Sequence, residues 1–162
     1  MEELKTLSMK INYADTLNYA MFENRIPFIR NVILNNSKEE DLKNMTLIIS
    51  FQDNFAKEIR KEIGILPKGV DVDLGKFAVE IHGEMLFGLT ETVTLTMKVT
   101  VKSMEEILLE EKYEIRVLAY NEWQGFDTMP EMLAAFVTPN HPSIDNILIE
   151  ASGILKDSSK DP

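Results

Sequence analysis

The chain has no cysteine and only two histidines among its 162 residues. Without cysteine, disulfide bridges, thiolate zinc sites and cysteine nucleophiles are excluded, and the composition fits a reducing compartment. His82 and His141 are the remaining imidazole candidates for acid–base chemistry. We interpret both as structural, with His82 at the end of a strand and His141 capping a helix or packing at a corner.

The sequence also lacks the common catalytic and nucleotide-binding motifs. A phosphate-binding loop needs glycines followed by a lysine, but after the glycine-spaced Gly64–Gly69 stands Val70, and Pro67 removes a backbone donor. Asp71 and Asp73 would share one face of a strand and could ligate a hard cation, although a solvated face is the favoured interpretation. We therefore predict that the chain is not an enzyme and has no catalytic residue, cofactor or metal site.

Positive charge is scarce as well. The 17 lysines and arginines face 27 acidic residues, which gives a formal net charge of -10. Affinity for phosphate backbones depends largely on clustered basic residues, so direct nucleic-acid binding is disfavoured. No apolar run approaches the roughly 20 residues that a membrane span requires, and the start MEELKTLSMK lacks signal-peptide features. The sequence predicts a cytoplasmic protein without a membrane partner.

Alternating apolar residues predict a mainly β protein. The clearest case is TVTLTMKVTVK, Thr92–Lys102, whose two-residue period indicates a half-buried strand. Lys112–Tyr120 is a second such run, and we predict a hairpin in which the intervening SMEEILLEE supplies either the loop or strand extensions. Further β-rich runs are SMKIN, Ile26–Asn36, Met45–Phe51, VDVDL and KFAVEI. About seven short strands separated by turns indicate an antiparallel sandwich.

The pattern changes after Trp123. TMPE, Thr128–Glu131, fits a capping box at the start of a short helix, MLAAFV. Beyond Pro142, apolar residues recur at helical spacing and predict a second helix with one apolar face. These residues are Ile144, Ile147, Leu148, Ala151 and Leu155. We predict a β-sandwich domain over residues 1–125, a helical extension over 126–156 and a disordered tail over 157–162.

The residues around this change suggest a junction. Trp123 is the single tryptophan, and such a ring most often closes the end of a sandwich core, although a platform for stacking a ligand is the alternative. The helical part carries apolar side chains that could contact a neighbouring domain. The predicted junction or interaction residues are Trp123, Leu133, Phe136, Ile144 and Leu148.

The segment LAYNEWQGFDTMPEMLAAFVTPNHPSIDNIL contains Asn121-Glu122-Trp123, Gly125, Pro130-Glu131, Ala134-Ala135-Phe136 and Pro139-Asn140-His141-Pro142. It resembles a motif in the N-terminal region of very large bacterial and archaeal DNA-helicase-related proteins, and weaker similarity covers Asn18–Leu42. In that family an immunoglobulin-like module precedes a superfamily-one helicase core. The resemblance therefore implies an immunoglobulin-like antiparallel β-sandwich of about seven strands with a C-terminal helical extension.

The same resemblance shapes the expected function. The ATP-binding loop and acidic magnesium ligands of such helicases have no counterpart in these 162 positions, so no catalytic residue carries over. We predict a noncatalytic docking module, the N-terminal part of a larger protein, whose partner is a helicase-like domain of a parent chain or of another protein. The alternative is an accessory nucleic-acid- or ligand-binding domain that contributes to DNA processing. The basic candidates for that alternative are Arg25, Arg30, Lys57, Arg60 and Lys61.

Overall fold

A computed structural model of the protein describes residues 7–23, 25–122 and 142–158. The chain divides into two compact units, Met1–Gln124 and Gly125–Pro162. Two β-sheets make up most of the first unit, and a helix occupies residues 142–158 of the second. The prediction of a mainly β protein with a C-terminal helix is confirmed. The predicted domain boundary between residues 125 and 126 lies outside the described residues.

The described part of the first unit contains eight strands and two short helices. The strands are β1 (Leu7–Tyr13), β2 (Thr16–Leu17), β3 (Ile29–Asn36), β4 (Leu42–Phe51), β5 (Ile59–Leu66), β6 (Asp71–Asp73), β7 (Val93–Ser103) and β8 (Glu106–Val117). The helices are α1 (Tyr19–Glu23) and α2 (Gly83–Gly88), and a 3-10 turn covers Gln52–Asn54. The helix of the second unit is α3 (Pro142–Ser158).

The strands form a small sheet in the order β1-β3-β6 and a large sheet in the order β2-β8-β7-β4-β5. The large sheet curls into a half-barrel. Its strands pair in antiparallel fashion except β2, which runs parallel to β8. This exception to the antiparallel prediction arises because the chain changes sheets after β1. The Arg116 N–H then donates to the carbonyl of Asp15 at 2.8 Å and holds β2 beside β8.

The predicted hairpin between the two clearest alternating runs is confirmed as β7 and β8. Their register extends from Val93 opposite Val117 to Ser103 opposite Glu106. Met104 and Glu105 form the turn, and the remainder of SMEEILLEE extends the two strands. The intervening segment therefore supplies both alternatives that the sequence left open.

Buried side chains from both sheets form the core of the first unit. Leu47 and Ile49 of β4 lie opposite Val101 and Val99 of β7, and all four are fully buried. In the small sheet, β3 buries every second residue over most of its length. The rings of Phe28, just before β3, and Phe51, at the end of β4, lie 6.0 Å apart between centroids and join the two sheets. The alternation of apolar and polar residues in the sequence therefore indicates which face of each strand packs against the core.

The predicted strand KFAVEI is wrong. Residues Phe77–Ile81 make only an isolated bridge at each end, from Phe77 to Ile29 and from Ile81 to Ala56. Ile29 is the first residue of β3 in the small sheet, and Ala56 lies between β4 and β5 of the large sheet. The segment therefore crosses from one sheet to the other, and its apolar residues serve both sheets instead of forming a ladder.

The sequence reading missed β5, α1 and α2. In β5 the half-buried positions include Lys61 beside Ile59 and Ile63, so a charged residue interrupts the apolar period. The two helices have five and six residues, which is too short for a 3.6-residue period to repeat.

The predicted second helix is confirmed as α3. Pro142 lies in its first turn, where a missing backbone N–H costs nothing. The residues of the predicted apolar face lie on this helix. Ile149 is apolar as well, but at 100° per residue it lies about 140° around the helix from Ile144, outside that face. Through Ser158, α3 also runs two residues into the predicted tail. Over residues 7–23, 25–122 and 142–158, no helix combines the length and apolar character needed to cross a membrane.

Candidate functional site

The described residues form an apolar groove of about 570 Å³ in the first unit. It lies between the connection from α1 to β3 and the crossing segment Phe77–Ile81. Its volume falls within the range of about 300–1,000 Å³ that is typical of ligand pockets.

The first wall is built by α1 and the turn that ends it. Before the helix, the buried Asn18 side chain accepts a hydrogen bond from the Met21 N–H at 2.9 Å. After it, the N–H groups of Arg25 and Ile26 donate to the carbonyls of Phe22 and Met21 at 3.0 and 2.9 Å. Arg25 adopts a left-handed conformation with φ of 53°. These bonds hold the Phe22, Arg25 and Ile26 side chains along the groove.

The opposite wall is the crossing segment, which is held at its two ends. The Phe77 N–H donates to the carbonyl of Ile29 at 3.3 Å, and the Lys57 N–H donates to the carbonyl of Glu80 at 2.9 Å. Between these anchors, the N–H groups of Ala78, Val79 and Glu80 donate to no other residue in the described part of the chain. Among the described residues, these three donors therefore have no acceptor, and in an extended segment alternate ones point to the same side.

The lining is apolar apart from three charged residues. Its buried members are Leu17, Met21, Phe28 and Phe77, and its half-buried or exposed apolar members are Phe22, Ile26, Pro27, Ala78, Val79 and Ile81. Arg25, Lys76 and Glu80 are charged and exposed. The floor can therefore bury an apolar group while charge stays at the rim.

The rim charge is mainly positive. The side chains of Arg25 and Lys76 make no hydrogen bond or ion pair with any other described residue, whereas the Glu80 carboxylate is paired with the Lys57 ammonium at 3.3 Å. The Lys61 ammonium lies 5.2 Å from the centroid of the Phe77 ring and donates to the carbonyl of Leu74 at 2.7 Å. This rim is a local exception to the chain's net charge of -10.

Three of the five basic residues named from the sequence therefore come together at the groove. They are Arg25, Lys57 and Lys61. Arg60 instead pairs with Glu58 at 3.1 Å on the edge strand β5, and Arg30 is exposed on β3 outside the lining. Sequence reasoning missed Lys76, because Lys76 is the first residue of KFAVEI, which was interpreted as a strand.

A row of aromatic rings extends from the groove across the surface. Ring centroids lie 6.2 Å apart for Phe22 and Tyr19, 5.8 Å for Tyr19 and Phe87, and 5.7 Å for Phe87 and Tyr120. Phe87 and Tyr120 remain 63% and 49% exposed. At Gly83, an added Cβ would lie 2.8 Å from the Phe22 ring, so glycine permits the close approach of α2.

The start of the NEWQG motif forms a corner after β8. The Glu122 carboxylate accepts hydrogen bonds from the Thr92 hydroxyl and from the Ala119 N–H, the second at 3.2 Å. The Tyr120 N–H donates to the carbonyl of Leu89 at 3.0 Å. These bonds tie the end of β8 to the segment before β7. The Thr92 hydroxyl contributes most to lowering the pKa of the Glu122 carboxyl, and the Ala119 N–H adds to it.

We expect Glu122→Gln to make stability less dependent on pH in the acidic range. Because the folded-state pKa is lowered, the carboxylate stabilises the fold above its unfolded-state pKa and loses that contribution as pH falls through the folded-state value. The variant should therefore be less stable than the parent at pH 7 and converge with it in acid, measured by urea unfolding across pH. The exposed Glu91→Gln is the control, and a pH-independent gap for Glu122→Gln would contradict the prediction.

Of the predicted junction residues, Ile144 and Leu148 lie on α3 and are 38% and 58% exposed. Trp123, Leu133 and Phe136 lie outside the described residues. The same holds for His141 and for the predicted capping box at residues 128–131.

The remaining site candidates from the sequence have structural surroundings. His82 is exposed and directly precedes α2, one residue after the bridge at Ile81. Asp71 accepts a hydrogen bond from the Asn35 amide at 2.7 Å on the neighbouring strand β3. Within the described ranges, no group of three or more histidine, aspartate or glutamate side chains could hold a metal ion.

No protein-family model matches the chain, and a search of curated proteins gives no match. The relation to DNA-helicase-related proteins therefore stays a prediction from the sequence motif.

Proposed function

We propose that the first unit is a noncatalytic interaction module that binds its partner in the apolar groove. The observation that carries this proposal is a buried apolar floor with a basic rim, on which the side chains of Arg25 and Lys76 have no described partner. The floor is formed by Leu17, Met21, Phe28 and Phe77. Binding sites are typically concave and mostly apolar, with a few polar groups that fix orientation. The groove has this composition.

The aromatic row supports an interaction role. Phe22 lines the groove and also begins the row that ends at Tyr120. Partly exposed aromatic side chains are enriched at protein interfaces because they bury a large area at a small cost in conformational entropy. A partner held in the groove could extend over these rings.

The module is further proposed to be an immunoglobulin-like sandwich from the N-terminal part of a larger helicase-related protein. Two sheets with buried inner faces support this fold assignment. The motif that suggested the relation begins at the corner where Glu122 fixes the end of β8. A helicase-like domain of the parent chain remains the proposed partner.

Filling the groove tests the proposal. The probe is anilinonaphthalene sulfonate, which combines apolar rings with an anionic group, and its fluorescence reports transfer into an apolar site. Ala78→Trp places an indole in the groove, whereas Val70→Trp adds one at an exposed position outside the lining. We expect Ala78→Trp to weaken binding about tenfold or more, equivalent to about 1.4 kcal/mol, and Val70→Trp to leave it unchanged. Equal binding by both variants would place the site elsewhere and contradict the proposal.

A further inference from the structure

The backbone of the crossing segment offers more than an apolar wall. Ala78, Val79 and Glu80 have adjacent N–H groups that donate to no other described residue, and the three side chains belong to the groove lining. An extended peptide can add its own backbone to such an edge, with main-chain hydrogen bonds supplying affinity and pockets receiving its side chains. A simple hydrocarbon chain has no acceptors for these donors.

The groove floor suits one large apolar side chain. Four buried residues form it, and Phe22, Ile26 and Val79 border it from the two walls. An anchor side chain placed there would be removed from water on several sides, which is typical of the central contact in a peptide interface.

Charge specifies the flanking residues of the ligand. Arg25 and Lys76 are exposed cations without a described partner, whereas Glu80, the acidic residue of the lining, is already paired with Lys57. Because the chain carries a net charge of -10, an acidic segment meets repulsion over most of the surface. The groove rim is therefore where such a segment finds complementary charge.

The conformation of Arg25 points to the same use of charge. Arg25 follows α1 with φ of 53°, a position that glycine usually fills because a side chain disfavours it. The residue present is an arginine whose side chain lines the groove. Arg25→Gly therefore removes the cation and also the side chain that disfavours this backbone conformation. Weaker binding by this variant can then be distinguished from a loss of folding stability.

We infer that the groove binds an extended acidic polypeptide segment that inserts one large apolar anchor into the floor and pairs its backbone with Ala78–Glu80. The inference rests on the proposed function and names its ligand class. Arg25 and Lys76 receive the acidic residues that flank the anchor. Neither DNA nor a simple acyl chain combines acidic groups, an apolar anchor and a peptide backbone in this way.

Two matched peptides test the ligand class by calorimetric titration of the full chain. In the first, a leucine-phenylalanine pair is flanked by aspartates, and in the second asparagines replace the aspartates. We expect the acidic peptide to bind about tenfold more tightly at low salt. This preference should shrink as salt rises, because the screening length falls from about 30 Å at 0.01 M to about 8 Å at 0.15 M. Equal affinity at low salt would overturn the inference.

Variants of the rim identify the charges involved. Arg25→Gly and Lys76→Gln should each weaken the acidic peptide about two- to fivefold, as expected for an exposed ion pair, without affecting the asparagine peptide. Lys68→Gln is the control, because Lys68 bridges to Asn36, about 23 Å along β3 from the groove end at Ile29. Arg25→Gly should not lower the melting temperature, so weaker binding cannot be attributed to unfolding. Unchanged affinity in both rim variants would contradict the inference.

Hydrogen exchange tests backbone pairing. Because successive N–H groups of an extended segment point to opposite sides, either Ala78 and Glu80 or Val79 should become protected when the acidic peptide binds, and a fatty acid used as a comparison should leave all three unprotected. Protection by neither ligand would overturn the strand-pairing part of the inference.

The probes also separate this inference from the proposed function. If anilinonaphthalene sulfonate binds in the groove but the acidic peptide binds no more tightly than the asparagine peptide, the proposed interaction module is supported and its proposed ligand class is rejected. Failure of both probes to bind would reject both. Single-stranded DNA that binds through Arg25 and Lys76, with no peptide binding, would reject the peptide ligand and favour the nucleic-acid alternative.

Discussion

Replacing Phe55 with alanine should lower the free energy of unfolding by about 3–5 kcal/mol, the range expected for truncating a buried phenylalanine. Phe55 is 2% exposed, and its ring centroid lies 6.5 Å from that of Phe51. Phe51 in turn contacts Phe28, which lies just before β3 of the small sheet. The truncation would remove apolar contacts and leave a cavity where the two sheets meet. Urea unfolding of the parent and variant measures the difference.

Phe87→Ala is the matched control for this prediction. It makes the same chemical change at a ring that is 63% exposed, so we expect a loss below about 1 kcal/mol despite its contacts with Tyr19 and Tyr120. Phe55→Leu should fall between the two variants because it retains most of the buried volume. Similar losses for Phe55→Ala and Phe87→Ala would show that the buried aromatic cluster does not stabilise the first unit as its packing indicates.

The parts of the fold that could be predicted are those in which one strand face is uniformly apolar. In β7, Met97, Val99 and Val101 are buried, and threonine and lysine occupy the intervening positions. Burial on one face imposes a two-residue period directly on the sequence. The hairpin followed from this signal and from the distance between the two runs.

Other elements depend on tertiary contacts that leave no local period. Lys61 occupies a half-buried position of β5 because its ammonium reaches the carbonyl of Leu74 at 2.7 Å. The crossing segment has strand-like composition, but Phe77 and Ile81 bridge to different parts of the fold. A single-sequence pattern cannot distinguish a strand from an apolar segment divided between two sheets.

The candidate site was predictable only in its basic residues. The sequence singled out Arg25, Lys57 and Lys61, but the groove joins residues 17–28 to residues 76–81, which are distant along the chain. Nothing in either segment alone indicates that they face each other. That the N–H groups of Ala78–Glu80 have no acceptor among the described residues is likewise a property of the folded backbone.

Asn36 is expected to stabilise the first unit through its buried side chain. The residue is fully buried at the end of β3. Its amide donates to the carbonyls of Glu40 and Leu66 at 2.9 and 3.1 Å, and its side-chain oxygen accepts from the Lys38 N–H at 3.0 Å. Asn36→Leu leaves these three backbone groups without their partner. The bond to the Leu66 carbonyl is buried, and the other two are part-buried. Since an unpaired buried group costs about 1–3 kcal/mol, we expect a loss of about that size in urea unfolding.

Asn36→Asp tests the same contacts by pH with almost no change in shape. The introduced carboxylate would face two carbonyl oxygens in a buried position, which raises its folded-state pKa because burial and the lost donors both disfavour the charged form. A raised pKa makes the penalty largest at neutral pH and relieves it as pH falls towards the unfolded-state value of about 3.9. Asn44→Asp, at an exposed position, should show a small effect at either pH. If Asn36→Asp were as stable as Asn44→Asp at pH 7, the Asn36 amide would not be the donor that joins β3 to β5.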